Sequence, residues 1–197
     1  LEDFTDNRFD FLFLQTEQLI PDPVKHYDNM GDIGDIDGCI ATIRTGDVKT
    51  RREAVKTVTA FGSEAIDPLI GALITADEND VRWYLARALA MIGVPAIDSL
   101  IYLITVSEDT DTAKYAAAAL GEMGEATLEP LIELLDDEDP KVRGFAALAL
   151  GRMGKPAIKR LAAVIEESDG LKKSCAKMAL FRMGGEGTEA LARSIMD

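Results

Sequence analysis

The chain has one histidine, two cysteines and one tryptophan, and 21 Lys and Arg against 35 Asp and Glu. Each shortage removes a class of function. One His and two distant Cys cannot supply the four ligands of a structural zinc site. Cys39 and Cys175 show no CxxC spacing and sit among apolar neighbours, so both read as buried, reduced core residues. Reduced thiols suit a cytoplasmic setting. A net charge of −14 and a pI near 4.5 argue against a bulk nucleic-acid binder, whose affinity comes largely from Lys and Arg on phosphates, and against docking on an anionic membrane. No apolar run approaches the roughly 20 residues of a membrane span. Residues 1–10 are acidic and lack the basic start of a secretory leader. Aromatics are 6% while hydrophobic residues reach 47%, so Ala and Leu carry the apolar load, as close helix packing requires.

Catalytic signatures are missing as well. There is no GxSxG, no phosphate loop ending in GKS or GKT, and no GxGxxG opening a helix after a strand. His26 lies in a Pro-containing loop and reads as solvated. Asp28 to Gly38, DNMGDIGDIDG, resembles a calcium loop at first sight. With Gly38 as the central glycine, however, Ile33 occupies the first ligand position and Arg44 the last, and neither can serve. The stretch reads as a loop feeding a helix, with Asp35 or Asp37 at the positive helix start. The acids Asp136 to Asp139 read as a solvated turn. No cofactor is expected.

What the chain does have is a repeated sentence. Glycines that would close a helix fall at Gly62, Gly93, Gly124, Gly154 and Gly184, in steps of 31, 31, 30 and 30, preceded by Phe61, Ile92, Met123, Met153 and Met183. After them come AIDPLI, AIDSLI, TLEPLI and AIKRLA, each opening a helix. A poorer first helix begins at Ile36, and GTEALARSIM from Gly187 reads as a lone closing helix. Ile66, Leu69, Ile70 and Leu73 predict one apolar face; Val81, Leu85, Ala88, Leu89 and Ile92 predict the stripe that meets it. Ala116, Ala119, Ala146, Ala149, Ala176 and Ala179 let neighbouring helices approach closely. Register over five units indicates a helical solenoid, whose repeats share one continuous core. Residues 1–34 differ, being acidic and holding Phe4, Phe9, Phe11 and Phe13. A helix from about Thr5 to Ile20, broken at Pro21-Asp22-Pro23, reads either as an N-terminal cap or as a segment that docks elsewhere. The expected division is therefore 1–34 and 35–197.

The units DDEDPKVRGFAALALGRMGKPAIKRL and ENDVRWYLARALAMIGVPAIDSL resemble HEAT repeats, in particular the short HEAT-like type of phycobilin lyase subunits. Val81-Arg82 and Val142-Arg143 match that pattern directly, Thr50-Arg51 and Lys172-Lys173 partly, and Thr112-Ala113 loses the basic residue. The resemblance implies an all-α, right-handed superhelix of about five helical pairs. It also implies that the Arg ties adjacent turns together through Asp. HEAT-like iron hydroxylases carry several His-Glu pairs, and this chain has none.

In such arrays the second helices line the concave side. With the buried stripe removed, three outward columns remain: Arg52, Trp83, Lys114, Gly144, Ser174; then Lys56, Arg87, Ala118, Leu148, Met178; then Ala60, Met91, Glu122, Arg152, Arg182. Tyr84, Tyr115 and Phe145 lie beside them, either on this face or packed between repeats. Trp, Tyr, Met and Arg are the types enriched at binding hot spots. The expected function is a non-catalytic scaffold holding another protein in the concave groove, an acidic or amphipathic helical segment, through Arg52, Lys56, Trp83, Arg87, Lys114 and Arg152. The alternatives are a bilin lyase-like chromophore-handling subunit, or a regulatory or assembly domain of a larger enzyme. A nucleic-acid glycosylase of HEAT-like fold is a weaker reading against the charge.

Overall fold

The computed structural model describes residues 35–196. The expected cap or docking helix of residues 1–34, and His26, lie outside them. The described residues form eleven α-helices and no strand. They are α1 (Ile36–Thr45), α2 (Val48–Thr59), α3 (Ile66–Ile74), α4 (Asn79–Ile92), α5 (Ile97–Val106), α6 (Thr110–Glu122), α7 (Leu128–Glu133), α8 (Pro140–Met153), α9 (Lys155–Glu167), α10 (Gly170–Arg182) and α11 (Gly185–Met196). They pair as α1–α2, α3–α4, α5–α6, α7–α8 and α9–α10, with α11 docked against α9 and α10.

Local chemistry fixes the boundaries. Asp35, Asp47, Asp109 and Asp139 each cap a helix, their carboxylates accepting from the backbone N–H groups of Gly38, Thr50, Thr112 and Lys141 at 2.7, 2.8, 3.1 and 2.7 Å. Each such cap stabilises its helix by about 1 kcal/mol. Pro140 follows its cap in the first turn, where the missing N–H costs nothing. All five repeat-closing glycines adopt positive φ, between 58° and 79°. That region strains any residue with a Cβ, so the 30–31-residue glycine step is a backbone requirement. The seventh helix is the shortest, and its last turn tightens into a 3-10 turn over Leu134–Asp136.

Packing follows the predicted stripes. Leu69, Leu73, Leu85, Ala88 and Leu89 are fully buried, and Ile66 and Val81 nearly so, whereas Ile70 and Ile92 are half-buried at the edges. All six interface alanines are buried. Second helices pack side by side from α2 to α10, while first helices touch much less from unit to unit until α9 meets α11. Gly121 shows how close the inner layer comes. A Cβ there would lie 2.7 Å from the carbonyl oxygen of Ala149 in the next second helix.

Two departures in the third unit are compensated. Thr112 stands where Val81 and Val142 stand, and its hydroxyl donates to the Asp109 carboxylate at 2.6 Å. Thr127 replaces the alanine of other units and donates to the carbonyls of Leu120 and Gly124 at 2.8 and 3.0 Å. Both side chains are buried and bonded, so neither leaves an orphaned donor. Arg82 bridges units as the resemblance implied, lying 3.6 Å from Asp109 and 3.8 Å from Asp111. Arg51 donates to the Arg44 carbonyl and reaches Glu78 at 3.9 Å. Arg143 instead donates to the carbonyls of Asp137 and Glu138 in its own turn.

One cysteine differs from expectation. Cys39 is buried, but Cys175 is only half-buried; both are free thiols. Burial also pushes the Cys39 thiol pKa up.

Candidate functional site

The six residues singled out from sequence all stand on second helices, and none lies in the fully buried stripe. Arg52 and Lys56 project from α2 and are exposed; among the described residues neither has an ion-pair partner. Trp83 and Arg87 on α4, Lys114 on α6 and Arg152 on α8 are half-buried. Trp83 and Arg87 sink further than a free surface pair would, because each covers the other. The Arg87 guanidinium lies 5.7 Å from the Trp83 ring centroid, a cation–π distance. Trp83 in turn meets the Tyr84 ring edge-on at 4.7 Å. Arg51 also approaches the Tyr84 ring, at 5.7 Å from its centroid.

The structure adds a residue that the columns contained but the site reading omitted. Arg87 Nη1 donates to Glu122 Oε1 across the junction between the second and third units. The two side chains are 21% and 26% exposed, so this pair is better shielded than an ordinary surface ion pair. Arg152 acts on the same carboxylate from α8. Loss of solvation nevertheless dominates and raises the Glu122 pKa, with Arg87 and Arg152 pulling it back down. Gly121 makes this possible, since an added Cβ would meet the Arg152 Cβ at 3.2 Å. The missing side chain leaves the floor on which Arg152 lies. Gly151 does the same beneath Arg182, at 3.1 Å.

The signal for Glu122 was present in the sequence. Arg87 and Glu122 are separated by one repeat plus one helical turn, which places opposite charges diagonally across adjacent second helices. The same layer also carries apolar side chains: Met91 is 48% and Met178, on α10, 49% exposed, and Leu148 is half-buried. One expectation for the face needs correction, and one open alternative is decided. Ala118 is buried, because a methyl does not reach past the flank of its helix, so the second column is interrupted there. Tyr84, Tyr115 and Phe145 are buried between repeats and contribute no exposed ring.

The described residues contain no group of three or more His, Cys, Asp or Glu able to hold a metal ion, and no helix among them is long and apolar enough to cross a membrane. What the surface offers is guanidinium and ammonium groups, one shielded carboxylate, an indole and thioethers.

Stacked helix pairs with a glycine closing each unit define an α-solenoid of the HEAT-like kind. The family profile for HEAT repeats matches residues 97–180, which run from α5 through most of α10. Among solved structures, the chain is similar to the complex of CpcE and CpcF of phycocyanin lyase from Nostoc sp. PCC7120. The identity is 22%, over 78% of this chain and 100% of that one, with a TM-score of 0.43. It is also similar to an engineered protein, at 23% identity over 82% of this chain and 87% of that one, TM-score 0.31. A computationally designed armadillo repeat protein for modular peptide recognition matches at 17% identity, over 81% and 88% of the two chains, TM-score 0.31. No curated protein matches the chain.

Proposed function

We propose that the chain is a non-catalytic interaction module that holds another protein against the layer of second helices, through Arg52, Lys56, Trp83, Arg87, Lys114 and Arg152. The observation that carries this reading is the Trp83–Arg87–Glu122 cluster, half-shielded and flanked by exposed Arg52, Lys56 and Met91. Indole and guanidinium groups that are partly desolvated before a partner arrives lose less on binding than mobile ones. Close packing of the second helices, against looser contact between first helices, supports the second-helix side as the inside of the curve. The cations set on an acidic chain favour a partner segment that is acidic, and the neighbouring methionines favour one that is also apolar.

The test is photo-crosslinking in extract of the source cell, comparing the parent with the exposed-residue variant Arg52→Glu/Lys56→Glu. A protein crosslinked by the parent and lost from the folded variant supports the reading. Equal crosslinking moves binding to another face. Absence of any crosslinked protein, together with a colour change on adding a bilin, would replace this reading with chromophore handling.

A further inference from the structure

Arginines tie some of the first helices to their neighbours and leave others untied. Arg44 crosses from α1 to donate to the Ala72 carbonyl and the Thr75 hydroxyl, at 3.2 and 2.8 Å. Arg160 crosses from α9 and grips the Glu129 carboxylate of α7 with two N–H groups, at 2.7 and 3.2 Å. Between α3 and α5 there is no such bridge, and the two helices barely touch. Glu129 stands five residues after Gly124 and Arg160 six after Gly154; the same counts from Gly62 and Gly93 reach Asp67 and Ser99. The bridging register opposite Asp67 is thus filled by a serine instead of a guanidinium. Asp67, and Asp98 at the same register of α5, are exposed and have no ion-pair partner among the described residues.

The walls of this unbridged groove are apolar. Ile74 on α3 is 52% exposed, and Tyr102 and Val106 on α5 are 64% and 49% exposed. Ile74 and Val106 hold the registers of Asp136 and Asp137 in the fourth unit, so the apolar surface belongs to this place and not to the outer layer in general. There is room as well. At Gly71, the register of Tyr102, an added Cβ would meet nothing within 4 Å. Acids stand at both ends, Asp67 and Asp98 in the first turns and the exposed Asp77 and Glu108 just past the last, while neither helix carries a Lys or Arg. Asp67 precedes Ile74 by seven residues, about 10.5 Å of helix.

We propose that the groove between α3 and α5 docks a basic amphipathic helix of a partner protein. The apolar face of that helix covers Ile74, Tyr102 and Val106, and a Lys or Arg about two turns away supplies Asp67 with the cation that Arg160 supplies to Glu129. Charge selects this occupant. A second copy of the chain would set Asp67 and Asp98 against their own equivalents, and an acidic segment would meet carboxylates at either end. The two layers of the array then hold partners of opposite charge, independently of each other.

The probe is a labelled synthetic helical peptide with Leu along one face and Lys along the other, beside a peptide of the same composition in scrambled order. Binding to the full chain is followed by fluorescence anisotropy and located by methyl NMR. Shifts should concentrate at Ile70, Ile74, Ile101 and Val106. Ile74→Ser/Tyr102→Ser removes two exposed side chains, keeps the circular-dichroism melt, and should weaken the ordered peptide by at least about tenfold. Asp67→Asn/Asp98→Asn should weaken it severalfold at low salt, a difference that fades as salt rises. Ser99→Arg, which rebuilds the missing bridge to Asp67, should weaken it in a chain no less stable than the parent. Arg52→Ala/Lys56→Ala should not weaken it. Equal binding of the ordered and scrambled peptides, methyl shifts outside α3 and α5, or an unchanged affinity in Ile74→Ser/Tyr102→Ser overturns the proposal. A parent that sediments as a dimer, with Ile74→Ser/Tyr102→Ser a monomer, assigns the groove to a second copy and overturns the basic partner. Failure here leaves the second-helix reading standing, since the crosslinking comparison tests that layer alone.

Discussion

Two glycines on the same layer should respond in opposite directions to the same substitution. Gly121 on α6 and Gly144 on α8 are both inside helices. Gly121 is pressed against the next second helix, where an added Cβ would lie 2.7 Å from the Ala149 carbonyl oxygen, 3.3 Å from the Ala149 Cα and 3.2 Å from the Arg152 Cβ. Two of those neighbours are backbone and cannot rotate away, so α6 and α8 must move apart along their length. Gly144 meets nothing within 4 Å. Gly→Ala in a helix interior stabilises by about 0.8–1 kcal/mol through propensity alone. Gly144→Ala should therefore gain about that amount. At Gly121 the same gain is offset by overpacking of about 1–3 kcal/mol, leaving a net loss of up to about 2 kcal/mol. The predicted gap between the two variants is roughly 1–3 kcal/mol, or several degrees in Tm for a chain of this size. Urea titration followed by circular dichroism, with amide exchange in α6 and α8, reads both quantities. If Gly121→Ala proves as stable as Gly144→Ala, the close approach of α6 and α8 is wrong, and with it the floor proposed for Arg152.

Other outcomes follow from the core and the caps. Tyr115→Ala should cost about 3–5 kcal/mol in the same titration, as a large buried side chain does, whereas Arg52→Ala should stay within about 0.5 kcal/mol. Comparable effects would mean that the two faces of the second helices have been exchanged. The Asp109 pKa is lowered, chiefly by the Thr112 hydroxyl and then by backbone bonds and Arg82. A depressed carboxylate stabilises the fold fully above its unfolded value, and that contribution is lost as pH falls through the folded one. Asp109→Asn should therefore be less stable than the parent at neutral pH, with the difference shrinking below about pH 4. A constant difference down to low pH would show that the charge at Asp109 is not what matters. Gly187→Ala should selectively remove exchange protection from α11, because its Cβ would collide with the Leu180 carbonyl. Uniform protection would refute that contact.

How much of this was legible beforehand depends on how local the cause is. The closing glycines, the Asp caps and the apolar stripes act within one or two helical turns, and their spacing alone located them. Relations between units were only half readable. Arg82 donates to its own loop carbonyl at Asp77 and also reaches Asp109, as the repeat pattern implied, whereas Arg143, with the same Val-Arg signature, keeps to its own loop carbonyls. The same side chain has donors enough for either arrangement, and spacing does not choose between them. The partners of the buried Thr112 and Thr127 hydroxyls, Asp109 and Leu120, were not legible from spacing either. Face columns gave direction without depth. Ala118 and Arg87 share a column, but the methyl is covered while the long guanidinium crosses to Glu122. The sequence thus placed Trp83 and Arg87 near each other but did not pair Arg87 with Glu122.

The junctions between units are unlike in kind, and this bears on the mechanics of the array. From the third unit onward the second helices meet nearly backbone to backbone, over Gly121 and then Gly151, and contacts of that sort are indifferent to ionic strength. The joint between the second and third units is held in addition by Arg82 with Asp109 and Asp111, and by Arg87 with Glu122. Salt weakens ion pairs to the degree that water reaches them. Ion pairs cross other junctions too, Arg51 with Glu78 and Arg160 with Glu129, and their carboxylates are more exposed than Glu122. The molecule is thus a spring whose joints yield to the surrounding electrolyte by unequal amounts, the second–third joint least among those with an ion pair. Small-angle scattering across a salt series, comparing the parent with Glu129→Gln, would detect it as a change in maximum dimension that the variant reduces; an unchanged parent profile would refute it.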